Sequence, residues 1–191
     1  VDGSVYTRDS TGNTPLHSAC ARYDEDLVEY LLGLDEDNIG MTLQNDDGNT
    51  PLHLALLKDS ISFLWCINEN EDTHFDMELQ NNDGDTALHI MARSGWIDHS
   101  DWLDSIGSRD IDGTIRNNDG NTPLHLAYTN ENTYMLDSLL ELSKVEVDIN
   151  AQNNDGNTAL HLAYQNESSY LFQVEHLSGF HEDQFDPTIQ N

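Results

Sequence analysis

Polar and apolar positions along this chain recur with a period of 36 residues. One phrase, Gly-Asn-Thr-Pro-Leu-His or a close variant of it, occurs five times. Its closing histidines are His17, His53, His89, His125 and His161. Self-similarity at a fixed period of this size predicts a repeat array rather than a single globular core. Because such arrays present a long continuous surface, the first functional expectation is a binding protein rather than a catalyst.

The fourth unit shows which elements each repeat predicts. Residues 117–121 read Asn-Asn-Asp-Gly-Asn, which is typical of a turn. Thr122 and Pro123 predict the N-cap and the first residue of a short helix. A second apolar pattern at helical spacing follows within 135–140, and residues 144–150 alternate as an extended segment does. Each unit therefore predicts a turn, a helix, a loop, a second helix and an extended return.

This combination resembles the ankyrin repeat, because Thr-Pro-Leu-His-Leu-Ala follows an Asp-Gly turn and precedes a Leu-Leu pair and Asp-Ile-Asn-Ala. The resemblance covers the whole chain. It implies an all-α fold, an ankyrin-repeat solenoid of stacked helix-turn-helix units with protruding hairpin loops. We expect a single array over residues 1–191, with repeats at roughly 9–44, 45–80, 81–116, 117–152 and 153–190.

Two departures from the family pattern carry further expectations. The ankyrin period is usually about 33 residues, and here the three extra residues fall after the second helix, so residues 142–150 predict a longer loop. Residues 185–191 match the lead-in at 111–117. We therefore expect the chain to be a fragment of a longer array or of a longer protein.

The charge of the chain narrows the classes of partner. Seven Lys and Arg stand against 36 Asp and Glu, which gives a formal net charge of −29. Such a surface repels nucleic-acid phosphates and anionic membranes, so we expect no nucleic-acid or membrane partner. It favours basic protein partners, with binding that weakens as salt rises. The alternative is that the acidity serves solubility alone.

Cysteine usage bears on the compartment. Cys20 and Cys66 lie in different repeats without a Cys-x-x-Cys spacing, so a disulfide framework is not expected. We expect an intracellular, cytoplasmic protein, or one delivered into a host cytoplasm if it is a bacterial effector. A monomer is the expected state.

Neither metal nor catalytic chemistry is predicted. Adjacent helices pack about 8–10 Å apart, whereas zinc bonds of about 2.0–2.1 Å need much closer ligands. The resemblance implies instead that the five motif histidines are buried scaffold residues. Placing Gly48 or Gly156 at the glycine of a calcium-binding loop puts Leu or Ala at ligand positions. Catalytic and nucleotide-binding motifs are absent, so we predict no enzyme activity and no cofactor.

The ankyrin resemblance implies partner binding through the hairpin tips and the first helices, which line a concave surface. The candidate tip residues are Asp46, Asp47, Asn49, Asp83, Asp85, Asp119 and Asn121. The candidate first-helix residues are Arg22, Leu57, Lys58, Arg93, Thr129 and Asn130. Two interpretations of the cations Arg22, Lys58 and Arg93 stay open: they bind a partner carboxylate, or they neutralise tip aspartates.

The functional prediction is a non-catalytic scaffold that binds a basic or polar protein or peptide on the concave face. One alternative is a targeting or regulatory segment of a larger enzyme, channel or secreted bacterial effector. A second alternative is a structural spacer with no specific partner. The residues around Asn150 also resemble the pattern recognised by an asparaginyl hydroxylase, which makes Asn150 a candidate hydroxylation site or simply a turn residue.

Overall fold

The structure is a computed structural model that describes residues 6–34, 40–58, 64, 66, 75–94, 102–103, 111–141 and 145–166. These belong to two compact units, Val1–Ala87 and Leu88–Asn191. The helices and strands of the described ranges are α1 (Pro15–Arg22), α2 (Glu25–Leu32), α3 (Pro51–Leu57), α4 (Ala87–Arg93), β1 (Ile111–Asp112), α5 (Pro123–Thr129), α6 (Thr133–Glu141), β2 (Val145–Glu146) and α7 (Ala159–Gln165). No helix in these ranges is long and apolar enough to span a membrane.

Helix α1 in the first unit has defined caps at both ends. Thr14 is its N-cap and forms a capping box with His17, and Pro15 occupies the first turn. The helix ends at Arg22, and its C-cap is Tyr23, whose φ of 58° is left-handed. The next residue, Asp24, starts α2 by accepting the N–H of Leu27 at 3.1 Å. A two-residue connection thus joins the helices into an antiparallel pair.

The core of the first unit follows from the spacing of small and apolar residues on α1. Leu16, Ala19 and Cys20 stand three and four positions apart and are at most 1% exposed, so they form one buried stripe. Helix α1 packs against α2 and also against α3 of the following repeat. The buried residues of those two helices include Val28, Leu31, Leu32, Leu52, Ala55 and Leu56.

The second unit repeats this arrangement around α5, which packs against α6 and α7. A buried asparagine, Asn132, orders the loop between α5 and α6. Its Oδ1 accepts the N–H of Met135 at 3.1 Å and caps α6. Its Nδ2 donates to the carbonyl of Met91 at 2.9 Å, at the end of α4. Since Asn132 is 1% exposed, these contacts satisfy polar groups that water does not reach.

The longer return contains a short strand that the sequence predicted only as extended chain. β2 pairs with β1 in parallel, with Val145 opposite Ile111 and Glu146 opposite Asp112. A Cβ at Gly113 would lie 2.6 Å from the Glu146 carbonyl oxygen, so glycine is what lets the two segments approach. The described elements are otherwise helical, as the predicted fold class requires.

Candidate partner-binding surface

Each hairpin is shaped by the side chain at its first position. In the second hairpin, Asn45 Oδ1 accepts the N–H groups of Asp47 at 3.0 Å and Asn49 at 2.9 Å. The Asn45 N–H donates to the Asn49 carbonyl at 2.9 Å and closes the turn. The same contacts recur at the equivalent residues Asn81, Asn117 and Asn153.

An aspartate, Asp9, takes this place in the first hairpin. Its Oδ1 accepts the hydroxyl of Thr11 at 2.8 Å and the N–H groups of Thr11 and Asn13, both at 2.9 Å. These hydrogen bonds, of which the one from the Thr11 hydroxyl contributes most, lower the pKa of Asp9 to about 2. Asp9 therefore stays ionised and performs the turn-forming role of the asparagines.

Backbone and amide groups join neighbouring hairpins within each unit. In the first unit, the Asn82 N–H donates to the Asp47 carbonyl at 3.0 Å, and Asn82 Nδ2 donates to the Asp46 carbonyl at 2.8 Å. Asn81 Nδ2 donates to Asn49 Oδ1 at 3.0 Å. In the second unit, the Asn154 N–H and the Asn153 side chain make the corresponding bonds. We call these contacts the hairpin ladder.

A column of glutamine and arginine residues extends the hairpin ladder, and its contacts were not predicted from the sequence. Gln44 Nε2 donates to the carbonyls of Gly48 and Gln80, both at 2.7 Å. Arg8 makes the equivalent contacts to Gly12 at 3.0 Å and to Gln44 at 2.6 Å. The sequence feature that could have indicated these contacts is a spacing of 36 residues between successive members of the column, which are Arg8, Gln44, Gln80, Arg116 and Gln152. Long side chains with N–H donors occupy every position of this column.

The motif histidines join each hairpin to the helix of the preceding repeat. His17 Nδ1 accepts the N–H of Thr14 at 3.2 Å, and its Nε2 lies 2.9 Å from the Asn49 carbonyl oxygen. Because Nδ1 accepts, the hydrogen-bond pattern assigns the ring proton to Nε2, which donates. His53 makes the same contacts with Thr50 and the Asp85 carbonyl. In the second unit the Nε2 contacts are those of His89 with Asn121 and of His125 with Asn157.

Burial keeps the imidazoles of His17, His53 and His125 neutral. Loss of hydration is the largest cause, and it lowers the pKa of each below its ordinary value. Protonation would also place a proton on Nδ1, which already accepts a backbone N–H. The neutral ring is therefore the form that fits these positions. His161 lies in the fifth repeat, is half-buried, and contacts Thr158.

The candidate tip residues separate into exposed and buried groups. Asp46, Asp47 and Asp83 in the first unit are exposed, as is Asp119 in the second. Asn49 and Asp85 are 8% and 1% exposed, so their side chains are not accessible to a partner. Their carbonyls accept the histidine Nε2 groups, which explains the burial. We therefore remove Asn49 and Asp85 from the candidate surface. Asn121 is half-buried, and its Oδ1 accepts Asn153 Nδ2 at 2.9 Å.

The candidate first-helix residues all lie at exposed helix ends. In the first unit, Arg22 ends α1, Leu57 ends α3 with 48% of its surface exposed, and Lys58 caps α3. In the second unit, Arg93 ends α4. The two polar candidates there bond to their own helix: Thr129 Oγ1 donates to the His125 carbonyl and Asn130 Nδ2 to the Leu126 carbonyl, both at 2.8 Å.

A model of the ankyrin-repeat family matches the chain in three overlapping copies, at residues 2–73, 63–153 and 109–178. The chain belongs to the ankyrin-repeat family. Ankyrin repeats generally act as protein–protein interaction modules. No curated protein sequence matches the chain significantly.

The remaining predictions from the sequence concern metal binding, the two cysteines and Asn150. No group of three or more His, Cys, Asp or Glu side chains there is arranged to hold a metal ion. Cys20 and Cys66 are not joined to each other in a disulfide, and burial raises the pKa of Cys20. Asn150 is half-buried in a turn, where its N–H donates to Asp148 Oδ1 at 2.9 Å. Hydroxylation of Asn150 stays a prediction.

Proposed function

We propose that this ankyrin-repeat chain is a non-catalytic interaction module that binds a basic segment of a partner protein along its hairpin tips. This proposal rests on the carboxylates of Asp46, Asp47 and Asp83 in the first unit. All three are exposed, and none makes a hydrogen bond or ion pair with another described residue. The scaffold uses only the backbone groups of these residues.

The contrast with neighbouring side chains supports this assignment. Asn45, Asn81, Asn82 and Gln44 are all hydrogen-bonded inside the hairpin ladder. Their hydrogen bonds within and between the hairpins therefore account for the asparagines and the glutamine. These hydrogen bonds do not require a carboxylate at the tip position, because the Asp47 backbone alone makes the scaffold contacts. Recognition of a basic partner gives a reason for aspartate at these exposed tip positions.

The spacing of the tip acids suggests the form of the partner. Asp47 and Asp83 are equivalent residues 36 positions apart, so they lie about one repeat, or roughly 8–10 Å, from each other. A polyproline II segment repeats every three residues with about 3.1 Å per residue, which places equivalent side chains about 9 Å apart. A partner with a basic residue at every third position matches this row.

The test uses a peptide built to that spacing. A blocked peptide with arginine at every third position and proline between is titrated against the chain, and a peptide with glutamine for arginine serves as its control. We expect the double variant Asp47→Asn, Asp83→Asn to weaken arginine-peptide binding about tenfold at low salt, since each exposed ion pair contributes about 0.2–1 kcal/mol. A matched variant, Asp26→Asn with Glu29→Gln, removes two exposed charges from α2.

The two variants separate local recognition from bulk charge. Equal affinities for both would mean that the net charge of −29 attracts the peptide and that the tips form no site. Absence of binding to any peptide of this class would instead favour the spacer alternative. The larger-protein alternatives share the same binding mechanics and predict the same result for the hairpin tips.

A further inference from the structure

We propose that a second surface, at the opposite end of α1 and α3, binds an acidic and partly apolar segment of a partner protein. We define the helix-end patch as Arg22, Tyr23, Leu57 and Lys58. Arg22 and Lys58 are equivalent residues, each five positions after its motif histidine. Because α1 and α3 pack together, the backbones of these two residues lie roughly 8–10 Å apart.

The two cations are left without a carboxylate partner in the described part of the first unit. Neither the guanidinium of Arg22 nor the ammonium of Lys58 makes an ion pair or hydrogen bond there. The adjacent carboxylate, Asp24, accepts the N–H of Leu27 at 3.1 Å and caps α2. A cation in the last turn of α1 also interacts favourably with the helix dipole, but that effect needs no exposed apolar neighbours.

Distance argues against neutralisation by the tip acids. Helix α1 starts directly after its hairpin and has 8 residues, so its far end lies about 12 Å from its start. This exceeds the Debye length of about 8 Å at physiological ionic strength. Of the two interpretations of these cations, contact with a partner carboxylate is therefore better supported for Arg22 and Lys58 than neutralisation of Asp47 or Asp83.

The apolar members of the patch carry the second half of the proposal. Tyr23 is 55% exposed and Leu57 is 48% exposed. Tyr23 also holds a φ of 58°, a conformation that costs free energy for any residue with a Cβ. Its hydroxyl donates to the Lys58 carbonyl, which places the ring beside the end of α3. Tyrosine and arginine side chains are enriched among the residues that anchor protein interfaces, and Leu57 adds exposed apolar surface beside them.

This inference goes beyond the basic contact at the hairpin tips and does not depend on it. The probe is a blocked hexapeptide that alternates glutamate with leucine, titrated into the ¹⁵N-labelled chain at about 0.15 M salt, where distant charges are screened. We expect amide shift changes centred on residues 22, 23, 57 and 58. The double variant Arg22→Gln, Lys58→Gln is expected to lose at least tenfold in affinity.

A matched control has the same charge change elsewhere. Ser10 and Thr42 are exposed residues of the first unit, and replacing both by glutamate changes the formal net charge from −29 to −31, as the double glutamine variant also does. This control variant should bind the hexapeptide nearly as well as the parent chain. The ¹⁵N spectra of the unbound variants report whether each is folded.

Several results would overturn the proposal. One is equal binding of the parent chain and the double glutamine variant. Another is equal binding of a hexapeptide with glutamine in place of glutamate, because the carboxylates would then be irrelevant. Shifts confined to the hairpins, or no binding at millimolar peptide, would also refute it. The arginine-peptide test of the hairpin tips can succeed or fail independently of all these results.

Discussion

Replacing Gly48 by alanine tests whether close hairpin packing, and not backbone conformation alone, requires glycine in the hairpins. Gly48 has a φ of 75° and Gly156 has a φ of 81°, so both substitutions carry the cost of a left-handed alanine. A Cβ at Gly48 would lie 2.6 Å from both the N and the Oδ1 of Asn82, whereas a Cβ at Gly156 meets no described atom within 4 Å. Gly156→Ala is therefore the matched control.

The magnitude follows from the contacts that must give way. A carbon 2.6 Å from a backbone nitrogen must move by roughly 0.8 Å to reach an ordinary contact, and hydrogen bonds of about 3 Å do not survive such a shift. This movement would break three hydrogen bonds of the hairpin ladder: two donated by Asn82 and one from Asn81 to Asn49. At about 0.5–1.5 kcal/mol each they contribute roughly 2–4 kcal/mol.

The backbone cost is common to both variants and is about 1 kcal/mol. We therefore expect Gly156→Ala to lower the free energy of unfolding by about 1 kcal/mol and Gly48→Ala to lower it by about 3–5 kcal/mol. Urea denaturation followed by circular dichroism measures both values. Because repeat arrays can unfold in parts, hydrogen exchange at the hairpin amides locates the loss. Equal costs for the two substitutions would refute the packing argument.

Three further predictions concern groups whose environments are equally well defined. Because the pKa values of His17, His53 and His125 are lower in the folded chain than the ordinary value of about 6.5, the unfolded chain binds more protons below that pH. The urea concentration at the unfolding midpoint should therefore decrease as the pH is lowered from about 7.5 to about 5.5. An unchanged midpoint would contradict the neutral-ring assignment. Glu131 has a φ of 53°, a conformation that glycine adopts at lower cost. Glu131→Gly should therefore raise the free energy of unfolding by about 0.5–1 kcal/mol in urea denaturation. A lower free energy of unfolding would show that backbone strain is not the main effect at this residue. Asn132→Ala should cost about 2–3 kcal/mol in the same assay, because it removes the cap of α6 and the amide donor to the Met91 and Ala92 carbonyls. A cost below 1 kcal/mol would show that water replaces the amide.

The periodic part of the molecule was predictable because its signals are local. Thr-Pro marks the start of a helix through a side-chain cap and a missing N–H, and these effects need no knowledge of neighbouring repeats. The observed start of α1 at Pro15 and of α3 at Pro51 follows this rule. The Asp-Gly turns likewise require a positive φ that glycine adopts freely, and Gly48 and Gly84 have φ values of 75° and 76°.

The contacts between repeats were less accessible to sequence reasoning. Asn49 and Asp85 were grouped with the exposed tip residues because the turn motif alone does not distinguish buried polar residues from exposed ones. Their burial depends on where the histidine of the preceding repeat places its Nε2. The pairing of β1 with β2 likewise depends on the path of the longer return, since two residues on each side are too short to show a strand pattern.

The hairpins divide, column by column, into positions that hold the array together and positions that face solvent. Gln44 and Asn45 bond to neighbouring chain segments through their side chains, so their replacement should change stability before it changes recognition. Asp47 and Asp83 contribute only backbone groups to the scaffold, so their replacement should change recognition with little effect on stability. Stability and binding are therefore separable within a single hairpin, and uniform tip sequences do not argue against specificity. The ladder requires uniformity at its own positions, while the tip carboxylates and the helix-end patch remain available for a partner.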